Sequence, residues 1–218
     1  MKFSAIYLDP PWKYNSRANH KTHFRGGACG HYPLMTMAEI KALPIPDLAA
    51  KDCALAMWCT YPYLDQQIAL FKHWGFRYRT ILFNWTKLNP KGWVDPRLDP
   101  SYRLDRPYVR YRDGLYHSVF FGVGYYSKSN SEPCLLGMRG QLPTKSNKVS
   151  NAIFAPRREH NRKPDEARER IVQLFGDIPR IELFARETAA GWASAGNALD
   201  GLDIRESLAL AATERRAA

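Results

Sequence analysis

The sequence predicts an α/β fold, and three stretches of its 218 residues predict it. The first is the apolar run 3–8, which stops at Asp9-Pro10-Pro11-Trp12. The second is 54–87, where ALAMWCT precedes apolar residues at helical spacing (Leu64, Ile68, Leu70, Phe71), then Gly75 and RTILFNWTK. The third is a helix opened by Pro164, with Asp165 and Glu166 in its first turn, running to Phe175 and stopped by Gly176, followed by a strand over 180–186. Strand-helix-strand alternation indicates a parallel, doubly wound sheet. Ligands of such sheets sit beyond the carboxyl ends of the strands, where residues 9–12 fall.

Composition bounds the rest. With 45% hydrophobic residues the chain can bury a core, and we expect one domain over 1–201, with long loops at 13–32 and 89–131, then a charged, Ala-rich tail over 202–218. The start carries one lysine and too short an apolar run for a secretory signal, and no stretch approaches the roughly 20 apolar residues that span a bilayer. A cytoplasmic protein without membrane contact is expected. Cys29, Cys53, Cys59 and Cys134 lack a Cys-x-x-Cys pair and read as reduced thiols. A formal net charge of +11 with 13% aromatic residues is what a protein acting on nucleic acid needs.

Taken in order, residues 13–32 form a polar loop. His20, His23, Cys29 and His31 lie in it without a second ligand pair, so a solvated basic loop is expected rather than a metal site. Thr36-Met37-Ala38-Glu39 has the form of a capping box, opening a short helix through Leu43 that Pro44 stops. The strand over 54–60 is bounded by Asp52 and Pro62, and the next covers 79–87. From Asn89 to Tyr126 the pattern breaks into Arg97, Arg103, Arg106, Arg110 and Arg112 with Tyr102, Tyr108 and Tyr111 between them. Such a segment can neutralise phosphates and stack on bases, which makes Arg103, Arg106, Tyr108 and Arg110 candidate substrate contacts. It can equally be an insertion that packs its tyrosines on the domain. Gly122-Val123-Gly124 is a weak phosphate cradle, and 141–151 reads as an exposed connection.

The residues of the 9–12 motif carry chemistry. Consecutive prolines have no N–H and leave carbonyls bare, Asp9 adds a carboxylate, and Trp12 adds a stacking plate. Acceptors beside a plate suit a planar group with an exocyclic amine, such as adenine or cytosine. With both amine hydrogens held by Asp9 and the Pro10 carbonyl, the nitrogen lone pair can attack an electrophile without a strong base. The motif by itself also fits a Pro-rich turn with a surface Trp.

Here the chain resembles the DPPW-type (MT-A type) adenine-N6 methyltransferases, which use S-adenosylmethionine, and the likeness covers residues 3 to about 201. Thr36-Met37, Trp58-Cys59-Thr60, Trp85-Thr86-Lys87 and Glu132-Pro133-Cys134-Leu135, the last opening a strand through Gly140, follow in the family's order. So do Arg158-Glu159 through Lys163-Pro164-Asp165-Glu166, Ile181-Glu182-Leu183-Phe184-Ala185-Arg186, Gly191-Trp192 and Gly196-Asn197. The resemblance implies a Rossmann-like methyltransferase fold in permuted order, the catalytic motif first and the cofactor motif last.

It also implies roles. Asp9, Pro10, Pro11 and Trp12 would be catalytic. Lys163, Arg186 and Asn197 would bind the cofactor, with Asn161, Glu182 and Asp9 beside them. Tyr32 would close over the base, although it stands two residues further from the Thr-Met helix than its counterpart. The chain departs from eukaryotic members at Glu187-Thr188 and Ala198, and only eight residues precede Asp9, which puts the contacts to the cofactor's adenosine end in question. The expected function is adenine-N6 methylation of nucleic acid, with DNA favoured over RNA because the short form resembles bacterial and phage members. The alternative is a catalytically silent nucleic-acid-binding subunit; such members have lost the Asp or the Lys that are present here as Asp9 and Lys163. Homodimer and heterodimer assembly both remain open.

Overall fold

The computed structural model describes residues 2–13, 34–90, 119–120, 122, 126–158 and 162–208. Its elements are β1 (Phe3–Leu8), α1 (Met37–Lys41), α2 (Ile45–Leu48), β2 (Ala49–Trp58), α3 (Leu64–His73), β3 (Arg77–Leu88), β4 (Ser131–Arg139), β5 (Ala152–Pro156), α4 (Asp165–Phe175), β6 (Arg180–Leu183), β7 (Ala193–Ala195) and α5 (Asn197–Asp200). The seven strands form one sheet in the order β5-β3-β4-β2-β1-β6-β7. This is the mixed α/β architecture expected of the methyltransferase fold.

The expected parallel sheet needs one correction. Strand β4 runs antiparallel to both β2 and β3, while every other neighbouring pair is parallel. The cause is local: Ser131, at the start of β4, pairs with Thr86 near the end of β3, so the intervening chain returns to the end of the sheet it left.

Alternation along the strands splits the core into two layers. Ile6 and Leu8 of β1 with Leu55 and Met57 of β2 join Ile40, Leu70 and Phe71 on the α1–α3 face. Ala5 and Tyr7 with Ala54, Ala56 and Trp58 join Ala167, Ile171 and Phe175 of α4 on the other. Helix α3 sits so close to β4 that a Cβ at Gly137 would lie 2.1 Å from the Phe71 ring. Ile204 and Leu208 also pack into the α1–α3 layer.

The capping box forms as expected: Glu39 N–H donates to Thr36 Oγ1, and Thr36 N–H donates to Glu39 Oε2. Helix α1 ends at Lys41, however, and Pro44 opens α2 as well as ending what precedes it. Strand β2 begins five residues before the expected 54. The edge strands β5 and β7, five and three residues long, give no periodic signal that could reveal them. Arg170 of α4 is fully buried and fastens β5, bonding Glu166 and the carbonyls of Ser150 and Ala152.

Strand β6 stops at Leu183 rather than 186 because Phe184 takes φ 63°, a left-handed conformation that breaks the ladder. Strained backbone of this kind persists where the surrounding structure holds it, and it often marks a functional site.

Candidate active site

Strands β1 and β6 lie side by side in the sheet, β6 next to the edge strand β7, with Leu8 opposite Leu183, so the loops that follow them leave the sheet at the same end. The first and last motifs of the chain therefore meet.

The proline carbonyls are not bare, which corrects the reading of the motif. Trp12 N–H donates to the Pro10 carbonyl at 2.9 Å, and Met35 N–H donates to the Pro11 carbonyl at 2.8 Å. Trp12 and Met35 form a parallel bridge that ties the motif to the start of α1. A tight turn uses one lone pair of each oxygen, and the second on Pro10 is left for an incoming amine. Nor is Trp12 an open plate: it is 8% exposed, packs in the α1–α3 layer, and its Nε1 has no hydrogen-bond partner among the described residues. Trp12 does wall a cavity of about 160 Å³ with Lys13, Met35, Met37, Tyr63 and Gln66. Buried Gln67 fixes the neighbouring Thr60, accepting from its N–H at 2.9 Å.

Asp9 sits in a chain of four charges. Lys163 Nζ is 2.9 Å from Asp9 Oδ2 and 2.5 Å from Glu132 Oε1. Lys87 Nζ is 2.7 Å from Glu132 Oε2. The order is thus Asp9, Lys163, Glu132, Lys87, drawn from the loop after β1, the approach to α4, and strands β4 and β3. Lys163 is 9% exposed and stands 5.5 Å from the Trp58 ring, whose Nε1 donates to the Tyr7 hydroxyl at 2.6 Å. Its backbone is pinned by Arg158, which donates to the Lys163 carbonyl and pairs with Asp165.

The two carboxylates differ in how many cations they touch. Burial pushes Asp9 up to about 6, against the pull of Lys163 and helped by the negative charge of Glu132. Burial would also raise Glu132, but Lys163 and Lys87 together hold it below the usual range. The ammonium of Lys163 is held well above its ordinary value: burial opposes the charge, and the two carboxylates outweigh burial. Asp9 is therefore the member that takes up a proton first. Cys59 and Cys134 are pushed up by burial first and by the nearby carboxylates, so they stay thiols.

At the ends of β6 and β7 a second ionic group braces the edge. Arg168 of α4 contacts Glu182 of β6 at 2.9 Å, Asp165 at 2.6 Å and Glu187 at 2.9 Å, and Arg162 also reaches Glu187, at 2.7 Å. Gly196 lies so close to Ala185 that a Cβ there would meet its carbonyl oxygen at 2.5 Å, which brings Arg186 and Asn197 onto adjoining loops. Asn197 heads α5 and donates to the Gly201 carbonyl.

The structure thus joins Lys163 directly to Asp9, and it sets Glu182, Arg186 and Asn197 on the neighbouring strand ends. Asn161, Tyr32, Arg103, Arg106, Tyr108 and Arg110 lie outside the described residues, as do the histidines of the 13–32 loop. No group of three or more His, Cys, Asp or Glu that could hold a metal occurs among the described residues. No helix among them is long and apolar enough to cross a membrane. Glu132, Lys87, Arg168 and Phe184 were not singled out from sequence. Glu132 and Lys87 stand inside the Glu-Pro-Cys-Leu and Trp-Thr-Lys motifs, so the signal for them was present.

The MT-A70 family model matches residues 3–108 and 117–198. The chain is 28% identical over 208 residues to the type II methyltransferase M.MunI of Mycoplasma sp, covering 88% of this chain and 75% of that protein. It is 26% identical over 202 residues to human N(6)-adenine-specific methyltransferase METTL4, covering 89% of this chain and 37% of that protein. It is 26% identical over 204 residues to the N(6)-adenosine-methyltransferase MT-A70-like protein of Arabidopsis thaliana, covering 93% of this chain but 24% of that protein.

Proposed function

The chain belongs to the MT-A70 family of methyltransferases, and from that premise we propose that it transfers a methyl group from S-adenosylmethionine to the exocyclic amine of adenine in nucleic acid, with DNA favoured over RNA. The observation that carries the reading is the Asp9 carboxylate, 21% exposed and paired with Lys163. Lys163 takes its Oδ2, which leaves Oδ1 to the substrate in this reading. Asp9 Oδ1 and the second lone pair of the Pro10 carbonyl accept the two amine hydrogens, which localises the nitrogen lone pair. The Asp9 charge, in a site largely shielded from water, stabilises the positive charge that develops on the amine. A carboxyl held near 6 can then take the released proton and return it to solvent at neutral pH.

The residues present fit the cofactor. Its amino-acid end carries one ammonium and one carboxylate, and the sheet edge offers the partly buried opposite charges of Asp9 and Lys163. Lys163, Arg186 and Asn197 would hold it, with Asp9, Asn161 and Glu182 as further contacts, Glu182 being held in place by Arg168. When bound, S-adenosylmethionine supplies an electrophilic methyl group. Glu187, at the position where the chain departs from the eukaryotic pattern, is engaged by Arg162 and Arg168 in an ionic brace.

DNA is favoured in this reading because the chain resembles the bacterial and phage members of the family, and the match runs along 75% of the type II methyltransferase M.MunI but 24% of the plant relative named for adenosine. A flipped or single-stranded adenine would reach Asp9, because the amine is out of reach within a stacked duplex. Arg103, Arg106, Tyr108 and Arg110 supply phosphate and stacking contacts in this reading, and Tyr32 covers the base. A silent nucleic-acid-binding subunit is disfavoured by the intact Asp9–Lys163 pair.

Methyl transfer from labelled cofactor to matched DNA and RNA oligonucleotides tests the proposal. Label on the adenine N6 of the DNA strand is expected, in excess over the RNA strand. Nucleic-acid binding without cofactor binding by calorimetry, and without label, would establish the silent subunit instead.

A further inference from the structure

We propose that Lys87 is a positioning residue: from the end of β3 it holds Glu132, so that Lys163 is shared with Asp9 and the Asp9 carboxylate keeps its negative charge for the substrate amine. The inference rests on the reading of Asp9 given above.

The geometry is a chain of contacts in which each charge touches the next: 2.9 Å from Asp9 to Lys163, 2.5 Å from Lys163 to Glu132, and 2.7 Å from Glu132 to Lys87. Two cations balance two carboxylates. Without Lys87, one ammonium would serve both, and Glu132, the shorter contact, would take the larger share. Lys87 is not a loose surface partner. Its side chain is 23% exposed and lies 5.2 Å from the Trp85 ring, and Glu132 is 14% exposed, so solvent screens the pair only partly. Its backbone is fixed on both sides: Lys87 N–H donates to the Asn130 carbonyl at 2.9 Å, and Phe120 N–H donates to the Lys87 carbonyl at 2.8 Å. Lys87 therefore stands where both ends of the arginine-tyrosine stretch meet the sheet.

The other groups around Asp9 do not replace it. Tyr7 of β1, Cys59 after β2 and Cys134 of β4 are each raised by burial and remain neutral near pH 7. Glu182 of β6 is raised by burial and answered by Arg168, on the far side of the edge from Lys87.

The test is a carboxyl ¹³C NMR titration of the full chain, with the Asp9 signal assigned by its loss in Asp9→Asn. Wild type is expected to titrate at about 6. In Lys87→Met, or Lys87→Gln if the first variant folds poorly, the Asp9 midpoint should rise by roughly half to one unit, since an opposite charge acting through one neighbour does less than the 1 to 3 units of direct contact. Lys87→Arg should restore it, and the acid limb of kcat/KM should move with the NMR midpoint. An Asp9 titration that superimposes on wild type in the neutral variants overturns the inference, whatever the rates. A shifted midpoint in a protein that transfers no methyl group upholds the role of Lys87 and overturns the proposed function.

Discussion

Lys163 Nζ stands 2.9 Å from Asp9 Oδ2, joining the motif block that opens α4 to the carboxylate of the first motif. The same ammonium touches Glu132, so a single buried cation belongs both to the proposed cofactor site and to the group proposed to hold the amine. The variants and conditions below separate these two duties.

Asp9 must be ionised to accept from an amine, and its folded value lies near 6, above the ordinary carboxylate. Activity should therefore be full above that value and fall tenfold per unit below it. A pH profile of kcat/KM should show an acid limb with its midpoint at about 6. A profile flat to pH 5 would mean that another group does the holding.

Replacing Lys163 by Met leaves Asp9 and Glu132 facing each other without the cation between them. Removing one partner of a buried ion pair costs about 3 to 5 kcal/mol. Urea unfolding should show a loss of that order, and adding Asp9→Asn should recover part of it, because one of the two stranded charges is gone. Full additivity of the two substitutions would contradict the coupling.

Arg168 gathers Glu182, Asp165 and Glu187, from β6, α4 and the loop that carries Arg186. Arg168→Met should destabilise the chain by about 3 kcal/mol, the lower end of the buried-pair range because Glu187 is partly solvated. Cofactor affinity measured by calorimetry should fall about tenfold, or about 1.4 kcal/mol at the site. A stability loss with unchanged affinity would reduce Arg168 to a fastener of α4.

Much of this was legible in the sequence, and the remainder was hidden for identifiable reasons. Strand β1, the Thr36–Glu39 capping box, and the stop of α4 at Gly176 each rest on strong local signals: an apolar run, two side chains at fixed spacing, and a glycine at φ 86°. The antiparallel course of β4 depends on where a long connection returns, which no local pattern records. Phe184 ended β6 early with a backbone conformation that its residue type does not announce. The pairing of Lys163 with Asp9 depends on where the connection between β5 and α4 passes the end of β1, which no local pattern records. Glu132 and Lys87 were visible as motif letters, but their role needed the register that sets Trp85 opposite Glu132.

Arg103, Arg106 and Arg110 carry a prediction from sequence alone. Changing all three to Ala should weaken binding to every nucleic-acid sequence alike and flatten its salt dependence by roughly 0.7 to 0.9 log units per lost phosphate contact. An unchanged slope would return the stretch to a packing insertion.

The most direct measurement is single-turnover methyl transfer by Asp9→Asn with cofactor and nucleic acid both saturating. Asparagine keeps the shape and leaves the turn at Pro10 and Pro11 in place, but it removes the charge and can point an N–H at the substrate's own N–H. Loss of one placed electrostatic group in a dry site costs roughly 3 to 4 kcal/mol, on the order of 100- to 1,000-fold in rate. The account predicts a loss at least that large, with nucleic-acid affinity changed far less because phosphate contacts carry it. A rate near that of the wild type under these conditions would contradict the amine-holding role of Asp9.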